Sequence, residues 1–67
     1  MKLINVNSSA INKVGYENPN LYIEFTHGRR YIYSPVPENV FQGLLQASSK
    51  GTYYNDNIKD RYSCREA

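Results

Sequence analysis

The chain predicts a small two-layer α+β domain, in which a three-stranded antiparallel meander is followed by a helix and a second, shorter helix packed on one sheet face. Three observations predict it. Apolar and aromatic residues alternate through residues 9–16, 21–25 and 31–33, the period of a strand. Turn-forming clusters, Glu17-Asn18-Pro19-Asn20 and His27-Gly28, separate these runs. After Ser34 the spacing changes to Val40, Phe41, Leu44, Leu45 and Ala47, which is helical.

The first two strands pair by their polar cluster. With residues 17–20 as the loop, Tyr16 opposes Leu21, Val14 opposes Ile23 and Lys13 opposes Glu24, an opposite-charge pair that supports the alignment. Ile11 breaks the alternation, so a bulge between Ile11 and Val14 is expected to turn it inward. In the second hairpin, a tight two-residue turn at His27-Gly28, with Gly28 at positive φ, sets Phe25 opposite Arg30, Glu24 opposite Tyr31, Ile23 opposite Ile32 and Tyr22 opposite Tyr33. On that register Val14, Leu21, Ile23, Phe25 and Ile32 make an aliphatic face for the helices. Tyr22, Tyr31 and Tyr33 make an open tyrosine plate on the other.

Pro37 suits the first position of the first helix and Glu38 the positive end of its dipole. Gly43 weakens a helix by about 1 kcal/mol relative to Ala, which points to close approach of another backbone, that of the sheet. Gly51 is read as the stop. Beyond it Thr52 would cap a second helix carrying Tyr54, Ile58 and Tyr62 at successive fours, and residues 63–67 would form a frayed tail.

At 67 residues the chain is one domain, 1–67 with a core of about 8–62, near the lower limit at which a hydrophobic core alone holds a fold. A 40% hydrophobic content with a mean hydropathy of −0.67 describes a soluble globular protein without a membrane partner. The N-terminal residues turn polar too soon for a signal core, and the single Cys64 fits a reducing compartment, so a cytoplasmic location is expected. A net charge of +2 permits an anionic partner without demanding one.

Catalytic constellations are sparse. His27 falls at a hairpin tip and Cys64 in the expected tail, and a catalytic pair would need both held by packing. One His and one Cys exclude a metal site of several such ligands, while Asp56 and Asp60, four apart on the expected second helix, read as a solvated face interleaved with Lys59 and Arg61. No phosphate loop or dinucleotide fingerprint occurs, so no cofactor or metal is expected and the chain reads as a non-enzymatic binding module. Tyr22, Tyr31 and Tyr33, with Arg29, Arg30 and Lys13 beside them, have the layout of a sheet that stacks single-stranded RNA. The alternative is a protein partner or self-association through the same tyrosines or an open sheet edge.

The ordered set Ser8-Ser9-Ala10-Ile11, Val14-Gly15-Tyr16, Phe25, Gly28, Tyr31-Ile32-Tyr33, Val36-Pro37, Leu44-Leu45, Ala47-Ser48, Lys50-Gly51, Tyr54-Asn55, Ile58 and Tyr62 resembles the KTSC domain. That module occurs at the C-terminus of some lysyl-tRNA synthetases and as stand-alone small proteins. The resemblance covers roughly residues 8 to 62 and implies RNA, tRNA included, as the partner to expect, although no synthetase domain accompanies it here.

Overall fold

The computed structural model describes residues 2–67 and orders them as β1 (Ile4–Asn5), β2 (Ile11–Glu17), β3 (Asn20–Phe25), β4 (Arg30–Ser34), α1 (Glu38–Gln46), α2 (Lys50–Asn57) and β5 (Ser63–Glu66). The strands form one antiparallel sheet in chain order. After β4 the chain builds both helices over one face and then returns to lie beside β4. The α+β class stands, with five strands in place of the expected three. Residues 63–66 are a paired strand and not a frayed tail, Tyr33 lying opposite Cys64 and Ile32 opposite Arg65. Without β5 the N–H and C=O groups along that side of β4 would lack a ladder.

The β2–β3 hairpin pairs Tyr16 with Leu21, Val14 with Ile23 and Lys13 with Glu24, as charge and alternation dictate. A register shift between Ile11 and Lys13 supplies the bulge, and Ile11 is fully buried. Oxygens of the neighbouring turn are used as well: Val36 donates its N–H to the Pro19 carbonyl at 2.8 Å.

The β3–β4 hairpin is shifted by one residue from the register expected of a two-residue turn. Glu24 opposes Arg30, Ile23 opposes Tyr31, Tyr22 opposes Ile32 and Leu21 opposes Tyr33. The loop is Thr26-His27-Gly28: Gly28 donates to the Phe25 carbonyl at 2.9 Å, Phe25 donates to the Arg29 carbonyl at 2.9 Å, and Gly28 alone takes positive φ, at 98°. This is a three-residue turn closed by a bulged glycine; a primed two-residue turn would have required positive φ at His27 too. A slip of one residue carries every side chain of the strand to the other face. Tyr31 and Tyr33 therefore lie on the helix side with Leu21 and Ile23, and Ile32 lies on the outer side with Tyr22.

Helix α1 buries Phe41 and Leu44 against Ile11, Val14, Leu21, Ile23, Tyr33, Val36 and Ile58. Tyr16 stacks on Phe41 with centroids 5.2 Å apart and donates its hydroxyl to the Val36 carbonyl at 2.6 Å. Pro37 occupies the N-cap of α1, one place before the position expected. Helix α2 starts earlier than expected, capped by Ser49, whose Oγ accepts from the Thr52 N–H. Gly51 consequently lies in its first turn and stops nothing, and Ala47 ends α1. Helix α2 also ends sooner, at Asn57, so Tyr62 lies beyond it. Asp60, at φ 62°, is off any helical face it could share with Asp56. Gly43 admits a side chain rather than the sheet backbone. A Cβ there would collide with the Tyr53 ring, whose hydroxyl donates to the Val40 carbonyl at 3.0 Å.

Candidate functional site

The slipped register assembles a concave aromatic site on the helix side. Phe25 from β3 and Tyr31 and Tyr33 from β4 meet Tyr54 of α2, while His27 reaches over from the hairpin loop and Tyr62 closes the far wall. The cleft has a volume of about 360 Å³. His27 lies nearly parallel on Phe25, with ring centroids 5.6 Å apart, whereas Tyr31 and Tyr54 stand edge-on to it at 68° and 72°. These are favoured pairings of ring quadrupoles.

Tyr33 is only 3% exposed, and its hydroxyl is satisfied by that of Tyr54 at 2.6 Å. Burial first, then the bond to Tyr54, pushes the Tyr33 phenol well above its ordinary range, so it stays protonated. At the rim stand Lys59 and Asp60, adjacent in the turn after α2, and the exposed thiol of Cys64. Arg29 lies just before β4, with its guanidinium 4.0 Å from Glu66, both side chains more than half exposed. Tyr31 first, then Glu66, raise the Arg29 guanidinium above its ordinary value, and an ion pair so exposed is screened by water and contributes little.

The outer face of the sheet is chemically different. Its middle row runs from Gly15 through Tyr22 and Ile32 to Arg65, with Leu3 beside it, 40% exposed. A second row sets Lys13, Glu24 and Arg30 side by side. Glu24 accepts from Asn12 Nδ2 at 2.6 Å and from Arg30 Nε at 2.7 Å, and these two bonds hold its carboxyl below the ordinary carboxylate range. Arg30 is thereby engaged.

The tyrosine plate expected on one open face is thus divided. Tyr31 and Tyr33 face the helices, with Arg29 beside Tyr31; Tyr22, Arg30 and Lys13 lie on the outer face. Phe25, His27, Tyr54, Lys59, Asp60 and Tyr62 enter the site only through the fold. A three-residue reading of the Thr26-His27-Gly28 loop was the signal that could have found Phe25 and Tyr31 on one face.

Residues 7–62 match the model of the KTSC domain. The chain belongs to the KTSC family. A crystal structure of a KTSC domain protein from Yersinia pestis is similar across 98% of this chain and 96% of that one, with 36% identity and a TM-score of 0.92. The chain is 42% identical over 59 residues to a protein of Tsukamurella paurometabola, covering 85% of this chain and 88% of the relative. It is 38% identical over 64 residues to an uncharacterised protein of Stutzerimonas stutzeri, covering 92% and 90% respectively. Among the described residues no helix is long and apolar enough to cross a membrane.

Proposed function

We propose that this KTSC domain is a non-enzymatic module that binds single-stranded RNA weakly in the aromatic cleft, with Tyr31, Phe25, His27 and Tyr62 as ring surface and Arg29 and Lys59 neutralising phosphates. The observation that carries it is the convergence of these rings, from both strands and the loop of the hairpin and from beyond α2, on one concavity flanked by two exposed cations. Stacking a base on an aromatic side chain contributes about 1–3 kcal/mol. Two phosphate contacts give a slope of log K on log salt of about −1.4, hence weak binding at physiological ionic strength. Tyr33 supports the cleft from beneath, through Tyr54.

A non-enzymatic role is supported by the setting of His27, which stacks on Phe25 and whose Nδ1 accepts the Arg29 N–H at 3.2 Å, with no carboxylate among the described residues shown to orient it. An exposed free thiol at Cys64 supports a reducing, cytoplasmic setting. The test is an amide-correlation NMR titration with mixed single-stranded RNA and with tRNA at two salt concentrations. Salt-sensitive shifts at Phe25, Arg29, Tyr31, Lys59 and Tyr62, reduced in Tyr31→Ala, are expected. A spectrum unmoved at low salt would sink RNA as the partner.

The outer face favours a second reading, protein association. Leu3, Tyr22 and the buried Ile32 form an apolar strip between the charged row of Lys13, Glu24 and Arg30 and a polar row ending in Ser34 and Ser63, and the edge strands β1 and β5 border it. Shifts confined to Tyr22 and Arg65, or self-association insensitive to salt, would favour it.

A further inference from the structure

The arrangement of the rings decides how much nucleic acid the cleft can take. A run of stacked bases needs successive platforms lying in roughly parallel planes along the strand. Here the planes turn: Tyr31 and Tyr54 stand at 68° and 72° to Phe25, and Tyr33 stands at 75° to Tyr54. The rings are walls of a box and not steps of a stair. One face of Phe25 is already taken by His27. The volume of about 360 Å³ lies at the low end of the roughly 300–1,000 Å³ of small-ligand sites, with room for one planar heterocycle.

The polar groups at the box are unequal. Tyr33 and Tyr54 hydroxyls bond each other, and either can donate. Asp60 is the one carboxylate lining the cleft and Lys59 the one ammonium. An ionised carboxylate only accepts hydrogen bonds and an ammonium only donates them. A heterocycle presenting an exocyclic amino group satisfies Asp60, whereas one presenting a carbonyl at that position sets oxygen against carboxylate. Lys59, at the same rim, suits a phosphate or a ring carbonyl.

We infer that the cleft holds a single unstacked nucleobase bearing an exocyclic amino group, with Asp60 reading that group and Lys59 engaging the phosphate of the same nucleotide. This rests on the RNA reading above and sharpens it from a strand platform to a one-base pocket. A base that is splayed out, at an RNA end or in a loop, is the form that can enter.

The full chain is titrated by amide-correlation NMR with cytidine 5′-monophosphate, uridine 5′-monophosphate and a ten-nucleotide mixed RNA. Cytidine monophosphate is expected to shift Phe25, Tyr31, Asp60, Tyr62 and Cys64, and to bind about fivefold more tightly than uridine monophosphate. Asp60→Asn, a change at an exposed side chain, should erase that preference while leaving the rest of the spectrum in place. Equal affinity for the two nucleotides in the parent protein would overturn Asp60 as the reader. Silence with both nucleotides but shifts with the ten-nucleotide RNA would overturn the one-base pocket and leave RNA binding standing. Silence with all three would overturn both.

Discussion

The two faces of the sheet are built from similar residues and do opposite work. On the helix side, tyrosines lie against apolar side chains and satisfy their hydroxyls within the layer: Tyr33 with Tyr54, Tyr53 with the Val40 carbonyl, Tyr16 with the Val36 carbonyl. On the outer side Tyr22 sits between Gly15 and Ile32, flanked by a row in which Glu24 is shared by Asn12 and Arg30. The difference teaches that a tyrosine on a strand reports little about exposure until its register is known, because the ring suits a core and the hydroxyl suits a rim. Helix-side tyrosines hold the fold and shape a cleft. The outer tyrosine instead lines a separate depression with Leu3, Glu24 and Arg30.

Truncation should separate the faces most strongly. Tyr33→Ala is expected to cost about 3–5 kcal/mol, in the range of large aromatic deletions from a core, while Tyr22→Ala should cost less than half as much. Urea unfolding midpoints of the two variants decide it, and equal losses would break the comparison. Next in size is Gly28→Val, expected to destabilise by about 1–2 kcal/mol because a β-branched residue resists the positive φ that closes the loop. A parental midpoint for that variant would show that the loop does not set the face of Tyr31 and Tyr33.

Gly43→Ala tests the helical layer by its sign. In an exposed helix the change stabilises by about 1 kcal/mol. Here the new methyl displaces the Tyr53 ring and breaks its bond to Val40, so a net loss of about 1 kcal/mol is expected, turning to a gain in a Tyr53→Ala background.

Two smaller effects follow from protonation. Glu24 has a folded-state pKa lowered by Asn12 and Arg30, so its contribution is present above the ordinary carboxylate value and is lost as pH falls through the folded one. Glu24→Gln should therefore lower the urea midpoint at neutral pH, and the gap from the parent should close on acidification; a gap independent of pH would remove that network from the outer face. For Tyr33 the sign is reversed, since its raised folded pKa gives stability that is complete below the ordinary phenol value and declines as the unfolded chain ionises above it. Phenolate absorbance under alkaline titration should show Tyr33 ionising only with unfolding.

Periodicity and turn chemistry made much of the fold legible. The β2–β3 pairing could be read because Lys13 and Glu24 choose one alignment and because Val14 and Ile23 have no comfortable place outside. Ile11 announced its own bulge by being apolar at the wrong parity. Tyr31-Ile32-Tyr33 offered no such constraint, since either parity places acceptable residues on either face. The candidate site was correspondingly half legible: Tyr31, Tyr33 and Arg29 were named, but with the wrong companions.

The sequence by itself determined that this is an α+β KTSC domain, where its central strands and helices fall, and how β2 meets β3, because those follow from local period, charge and turn residues. Tertiary structure decided which side the tyrosines face. One slip lets Glu24 oppose Arg30, buries Tyr33 under Tyr54 and leaves a single positive φ at Gly28, gains that depend on groups distant in the chain. It also decided that residues 63–66 become a strand, because only the returning chain can supply β4 with its second ladder. The cleft is the product of both decisions, formed where a slipped hairpin meets the end of a helix that no local pattern brings to it.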